Sequence, residues 1–164
     1  MPDGSTEIWL MSADARLGLD TNVLIYALDK AAGEHHRRAA WLVRRAAESG
    51  RAVLGVQNIG EFYVTAVRRN YLAPPEAAQR ASELLVMFPI IEPTAQAVRV
   101  GLREAAAGRF SYWDGLLLAT LSHAGCTVLL SEDMSDGAVL AGVTVHDPFI
   151  GPELPMAIVS MLAS

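Results

Sequence analysis

The chain has 164 residues, a formal net charge of −5 and 52% hydrophobic residues. That length fits one domain with a sizeable core, and that composition excludes an intrinsically disordered chain. No apolar run reaches the ~18 residues of a membrane span, no basic segment leads into an apolar one at the start, and the acidic balance argues against a broad, non-specific nucleic-acid binder.

The first strand is expected at Leu17-Gly18-Leu19, ending at Asp20, followed by a helical pattern from Val23 to Leu28. Gly33 breaks the chain, and Glu34 to Ser49 reads as an amphipathic helix stopped by Gly50. Ala52-Val53-Leu54 predicts a second strand. Val56 to Arg69 predicts a helix whose core stripe is Val56, Ile59, Tyr63 and Val67. Pro74-Pro75 opens a helix through Phe88, because proline suits a first turn. Ile90-Ile91 reads as a brief strand before Pro93, and Thr94 is expected to cap a helix to about Ala107, ended by Gly108. The helix carrying Asp114 stops at Gly125. Thr127 to Leu130 predicts a buried strand and Val143 to His146 the last one. Strands alternating with helices imply an α/β fold, a mainly parallel sheet with helices on its faces.

Four carboxylates stand out on that scheme. Asp114 shares a helical face with Leu117, Leu118 and Leu121, at i+3, i+4 and i+7. An unpaired buried carboxylate costs several kcal/mol, so it needs compensation from the helix N-terminus and from a cation. Asp20 directly follows the first strand, and Asp133 follows the strand ending at Leu130. In an open parallel sheet both point to the crevice outside the strands' carboxyl ends. Glu61 lies in the helix after the second strand. Each has a plainer reading: Asp114 as a charge at a helix start, Asp20 as an N-cap, Glu61 as part of a solvated face with Thr65 and Arg68. Nothing local chooses Asp133 over Glu132 or Asp136, and Asp136-Gly137 is also a turn signal. Clustered carboxylates raise one another's pKa, and a divalent cation reverses that. Oxygen donors without a Cys or a suitable His pair suit Mg²⁺ or Mn²⁺ rather than Zn²⁺. Such ions catalyse phosphodiester hydrolysis.

The remaining chemistry-bearing residues are quieter. Cys126, the single cysteine, reads as a small core residue, rules out a disulfide framework and fits a reducing, cytoplasmic setting. His35 and His36 are adjacent on a helix and diverge, so they make no metal pair. His123 and His146 have no partner legible in the sequence. Twelve of the thirteen basic residues are arginine, with pairs at Arg37-Arg38, Arg44-Arg45 and Arg68-Arg69. Arginine is the better bidentate phosphate ligand, although solvated helix faces account for most such pairs. Trp113, Tyr112 and Arg109 lie near Asp114; a core role is the expectation for the two aromatics.

Leu19-Asp20-Thr21-Asn22-Val23-Leu24-Ile25-Tyr26 resembles the opening motif of PIN-domain ribonucleases. Asn58-Ile59-Gly60-Glu61-Phe62 resembles their second acidic motif, and Ser111-Tyr112-Trp113-Asp114 before an apolar helix resembles their third. Leu130-Ser131-Glu132-Asp133-Met134, Asp136-Gly137, Gly142-Val143 and Asp147-Pro148-Phe149 are similar to the closing segment. The likeness covers about residues 16–149 and is nearest to VapC-like toxins of bacterial toxin–antitoxin pairs. It implies a PIN-like three-layer α/β/α fold with short strands and about seven helices. It implies a metal-dependent endoribonuclease in which Asp20, Glu61 and Asp114 form the main acidic site and Asp133 is the fourth acid. Thr21 or Asn22 would steady Asp20, and Ser131 would do the same near Asp133. It further implies Mg²⁺ or Mn²⁺ as cofactor, an RNA substrate, a homodimer and a cognate antitoxin that blocks the acidic groove.

Other readings separate on single residues. A phosphatase of the haloacid-dehalogenase type wants a second Asp two residues after the first, where this chain has Asn22. A receiver domain needs a late lysine, and the only lysine is Lys30. A non-catalytic PIN-fold binding module stays open, as does an RNA-processing nuclease outside toxin–antitoxin systems. Residues 1–15 are expected to be a leader outside the fold. Residues 150–164 form an apolar extension without a basic residue, expected to pack on its own domain or across a dimer contact.

Overall fold

A computed structural model of the chain describes residues 15–163. The leader expectation at residues 1–15 therefore lies outside the described residues, apart from Ala15, which is buried. The order is β1 (Arg16–Leu19), α1 (Thr21–Tyr26), a 3-10 turn (Lys30–Ala32), α2 (Glu34–Ser49), β2 (Ala52–Gly55), α3 (Val56–Arg68), α4 (Pro74–Met87), β3 (Ile90–Ile91), α5 (Ala95–Ala106), α6 (Tyr112–His123), β4 (Cys126–Leu130), β5 (Val139–Leu140), β6 (Val143–His146) and α7 (Met156–Leu162).

One six-stranded sheet runs β3-β2-β1-β4-β6-β5. All pairings are parallel except β5 on β6. The inner strands are short and apolar because both faces are covered: Leu17, Leu19, Leu54, Leu129 and Leu130 are completely buried. One face packs against α1, α2, α3, α4 and α7 through Leu24, Leu42, Phe62, Leu84 and Met161. The other packs against α6 through Leu117, Leu118 and Leu121, and α5 lies outside α6. This is the three-layer α/β/α architecture, with seven α-helices among the described residues.

The α5–α6 contact is backbone to backbone. A Cβ on Gly101 would stand 3.0 Å from the carbonyl oxygen of Tyr112 and 3.2 Å from the amide nitrogen of Leu116. One on Gly115 would stand 3.2 Å from the Gly101 Cα. Glu104, only 3% exposed, sits beside this contact and accepts two hydrogen bonds from the Arg109 guanidinium, at 2.7 and 2.9 Å. That pairing holds the Glu104 carboxyl below the usual carboxylate range.

Three expectations need correction. In α3 the buried residues are Asn58, Ile59, Phe62 and Ala66, while Val56 and Tyr63 are 39% and 36% exposed. The stripe is rotated because Asn58 Oδ1 accepts a hydrogen bond from the Gly55 amide at 3.1 Å, which draws a polar side chain inward at the helix start. Trp113, expected in the core, is 59% exposed. His146 does have a partner: its Nδ1 lies 3.1 Å from Asp136 Oδ1.

The apolar extension packs on its own domain. Ile158, Met161 and Leu162 of α7 are buried in the core shared with α2. Arg38 of α2 holds the segment before α7 by donating to the carbonyls of Pro148, Gly151 and Pro152 at 2.9, 3.0 and 2.7 Å. Cys126 is buried as expected, and burial pushes its thiol up to about 12. Among the described residues, no helix is long and apolar enough to cross a membrane.

Candidate active site

The chain changes direction in the sheet at β1: β2 and β3 lie on one side of it, and β4, β6 and β5 on the other. In a parallel sheet such a switch opens a crevice at the carboxyl ends of the two central strands. Asp20 leaves β1 there and Ser131 leaves β4 beside it. Ser131 Oγ donates to Asp20 Oδ2 at 2.7 Å.

Asp20 is the N-cap of α1, its Oδ1 accepting from the Thr21 amide at 2.7 Å. The capping role expected of an Asp after a strand is therefore real, but it accounts for one oxygen only. Oδ2 also accepts from Asn22 Nδ2 at 3.1 Å. Asn58 Nδ2 stands 3.4 Å from Oδ1. The carboxylate is thus fixed from several sides and only 7% exposed. Its pKa nonetheless rises to about 6. Burial is the main cause, opposed by the Ser131 and Thr21 hydrogen bonds and reinforced by the charges of Asp133 and Glu61.

Thr21 and Asn22 both steady Asp20 as expected, and the Thr21 side chain also steadies a second acid. Its hydroxyl donates to Glu61 Oε2 at 2.9 Å while accepting from Asn58 Nδ2 at 3.1 Å. Glu61 is exposed on α3, so this hydrogen bond is what orients it toward β1. Asn22 bridges the other side, donating to Ser131 Oγ at 3.2 Å and accepting from the Glu132 amide at 3.2 Å. Ser131 Oγ in turn accepts from the Asp133 amide at 3.2 Å. Asn58, completely buried, is the polar residue that sequence reasoning missed as a functional support; its one signal was a polar side chain beside an apolar stripe.

Glu61 and Asp133 line one cavity of about 350 Å³ with Thr21, Asn22, Tyr26 and Glu132. Asp114 opens onto an adjoining cavity of about 200 Å³, which it shares with Asp133. It sits in the first turn of α6, where Ser111 Oγ caps the helix by accepting from the Asp114 amide at 3.1 Å. Asp20, Glu61 and Asp133 therefore influence one another, and Asp133 links them to Asp114. Among the described residues, no three His, Cys, Asp or Glu side chains gather closely enough to form a metal-holding group.

Glu132, the neighbour that competed with Asp133 in the sequence, lines the same cavity and also meets an aromatic cluster. It lies 3.7 Å from His35 Nε2, and its carboxylate pushes the Tyr26 hydroxyl up to about 12. His35 stacks on Phe149 with ring centres 4.7 Å apart, and Tyr26 packs edge-on to Phe149 at 5.0 Å. Glu132 thus belongs to an aromatic wall, while Asp133 is exposed at the junction of the two cavities. Arg109, near Asp114, spends its guanidinium on Glu104.

A profile of the PIN domain matches residues 18–135, well over half of the chain, and the chain belongs to the PIN-domain family. Within it, the fold is shared with solved toxin–antitoxin proteins. The Mycobacterium tuberculosis toxin VapC20, described as cleaving the sarcin-ricin loop, matches with 17% identity and a TM-score of 0.58, over 71% of this chain and 91% of that one. A toxin–antitoxin complex from Klebsiella pneumoniae matches with 22% identity and a TM-score of 0.57, over 85% and 100%. DNA-bound VapBC from Salmonella typhimurium matches with 17% identity and a TM-score of 0.58, over 81% and 98%. At these identities the likeness is one of fold. No curated protein matches the sequence.

Proposed function

We propose that this chain is a metal-dependent endoribonuclease, the toxin of a toxin–antitoxin pair, with Asp20, Glu61, Asp114 and Asp133 as its acidic site. The observation that carries this reading is Asp20. It is a buried carboxylate, fixed by Ser131, Asn22 and the Thr21 amide, whose ionisation is held back by burial and by two further acids. A fold seldom retains such an arrangement for stability, because burial and the charges of Asp133 and Glu61 oppose the charged form more than the hydrogen bonds favour it.

The residues fit Mg²⁺ or Mn²⁺ in chemistry and in charge. The donors are all oxygen, the preference of hard divalent ions. Asp20, Glu61, Asp114 and Asp133 would hold the ion, and Thr21, Asn22 and Ser131 would orient the acids. When bound, the ion activates a water and offsets charge on the phosphoryl oxygens. The chain's own residues do the rest. Thr21 keeps Glu61 turned toward the crevice, and Ser131 and Asn22 keep Asp20 ready to ionise. Asp133, at the junction of the two cavities, lets a strand of RNA lie from one to the other. The fold shared with toxin–antitoxin complexes supports a cognate antitoxin as partner, and the resemblance of the motifs to VapC-like toxins implies a homodimer.

The spread of the acids favours a second reading, a PIN-fold binding module without catalysis. Cleavage of a mixed RNA pool decides between them. The proposed enzyme cuts with Mg²⁺ or Mn²⁺, and loses cutting both with chelator and in Asp114→Asn. Folded, antitoxin-free protein that neither cuts RNA nor takes up Mn²⁺ in a calorimeter refutes the enzyme.

A further inference from the structure

The cavity that holds Glu61 and Asp133 has a second wall of opposite charge. Arg68 ends α3 and Arg69 is its C-cap, and both line that cavity. Glu61, Thr65 and Arg68 stand at i, i+4 and i+7, one face of the helix, and all three border the same space. An acid and a base therefore share one cavity without neutralising each other.

Most other arginines beside an acid in this protein are spent on it. Arg37, Arg45, Arg80, Arg103 and Arg109 each pair with a carboxylate. Arg38 gives its donors to backbone carbonyls. Among the described residues, the side chains of Arg68 and Arg69 join none of these bonds, although the cavity they line also contains Glu61, Glu132 and Asp133. A guanidinium offers a rigid fork of donors suited to phosphate. A cavity of about 350 Å³ lies within the range of small-molecule sites. Its mixed lining suits a ligand whose charge alternates with neutral parts, and a sugar–phosphate backbone is such a ligand.

We propose that Arg68 and Arg69 bind a backbone phosphate of the RNA, next to the one positioned for hydrolysis by the acids. This rests on the ribonuclease reading and names the residues that place its substrate. The pair are positioning residues. Phosphate contacts set register and affinity without reading sequence, so they act on KM rather than on kcat or on the choice of cleavage site.

The test uses the full chain and a fluorescent 20-nucleotide single-stranded RNA of random sequence. Binding is followed by anisotropy in chelator between 50 and 200 mM salt, and cleavage of the same pool is followed with Mn²⁺. The variants are Arg68→Ala/Arg69→Ala, Arg68→Lys/Arg69→Lys, and Arg44→Ala as an exposed arginine elsewhere. The expected result is a loss of about tenfold in affinity for the alanine pair. Its salt slope should fall by about 0.7, one phosphate of a single strand. The lysine pair should recover most of that slope, Arg44→Ala should match the parent, and the cleavage pattern should not change. Parent-like KM and salt slope in the alanine pair, with the parent cutting RNA, overturn this inference and leave the nuclease standing. RNA bound through these arginines but never cut leaves the contact standing and removes the nuclease. A parent chain that neither binds nor cuts the pool overturns both.

Discussion

Asp20 should destabilise the fold that it serves. Its pKa is raised from 3.8 to about 6, so between those values the folded protein holds a proton that the unfolded chain releases. The native state is therefore favoured below about pH 4, and that advantage disappears as pH rises through 6. At 1.36 kcal/mol per unit, the ionised carboxylate costs about 3 kcal/mol at neutral pH. Asp20→Asn removes the charge and keeps an oxygen for the Thr21 amide. It loses one acceptor, because Asn22 Nδ2 and Ser131 Oγ both donate to the same Asp20 oxygen. With about 1 kcal/mol deducted for each of those two bonds, the net gain is about 1 kcal/mol, or roughly 2–4 °C in Tm for a domain of this size. Urea melts of parent and variant in chelator, from pH 4 to 7.5, measure it. The difference should be small or reversed near pH 4 and grow to its full value above pH 6. A variant less stable than its parent at pH 7, or a difference that does not vary with pH, refutes the reasoning.

Asn58→Ala strands the Gly55 amide and removes a donor to Thr21, and should cost about 1–3 kcal/mol in a denaturant melt. In the proposed nuclease it should also lower the cleavage rate by loosening Glu61. Gly101→Ala presses a methyl against the Tyr112 carbonyl. Because backbone cannot rotate away, about 1–3 kcal/mol should be lost in the same assay, and an unchanged midpoint contradicts the close helix contact. Truncation after Phe149 removes the buried Ile158, Met161 and Leu162. A loss on the order of 4 kcal/mol is expected, read as a lower urea midpoint; parent-like stability counts against packing of the tail on its own domain.

The parts of this protein that were legible in the sequence are those fixed by periodicity and by strand ends. Asp20 and Asp133 follow apolar strands, and in a parallel sheet that alone assigns them to one edge. Ser131 and Asn22 lie so near those acids that their supporting role followed. The rotation of α3 was not legible, because a hydrophobic count places Val56 and Tyr63 inward, whereas a single buried amide, Asn58, sets the helix about its axis. Thr21 could be assigned to Asp20 by proximity in the chain, yet its hydroxyl reaches Glu61, forty positions away. The Arg38 clasp has irregular backbone as its partner, which carries no pattern. β5 is two residues long, too short for any alternation to register. Trp113 escaped for another reason: at a helix start, exposure is decided by what neighbouring elements cover, and none of that is local.

The hydrogen bond from Ser131 to Asp20 joins residues 111 positions apart. Synthesis proceeds from the N-terminus, so Asp20 leaves the ribosome long before the strand that completes its surroundings. Until β4 has inserted beside β1, no crevice exists, and Asp20 is an ordinary carboxylate in water. An unfinished chain, or a fragment cut before Leu130, therefore carries every residue of the first two acidic motifs and none of their assembled chemistry. The crevice itself arrives only when the fold closes, near the end of translation.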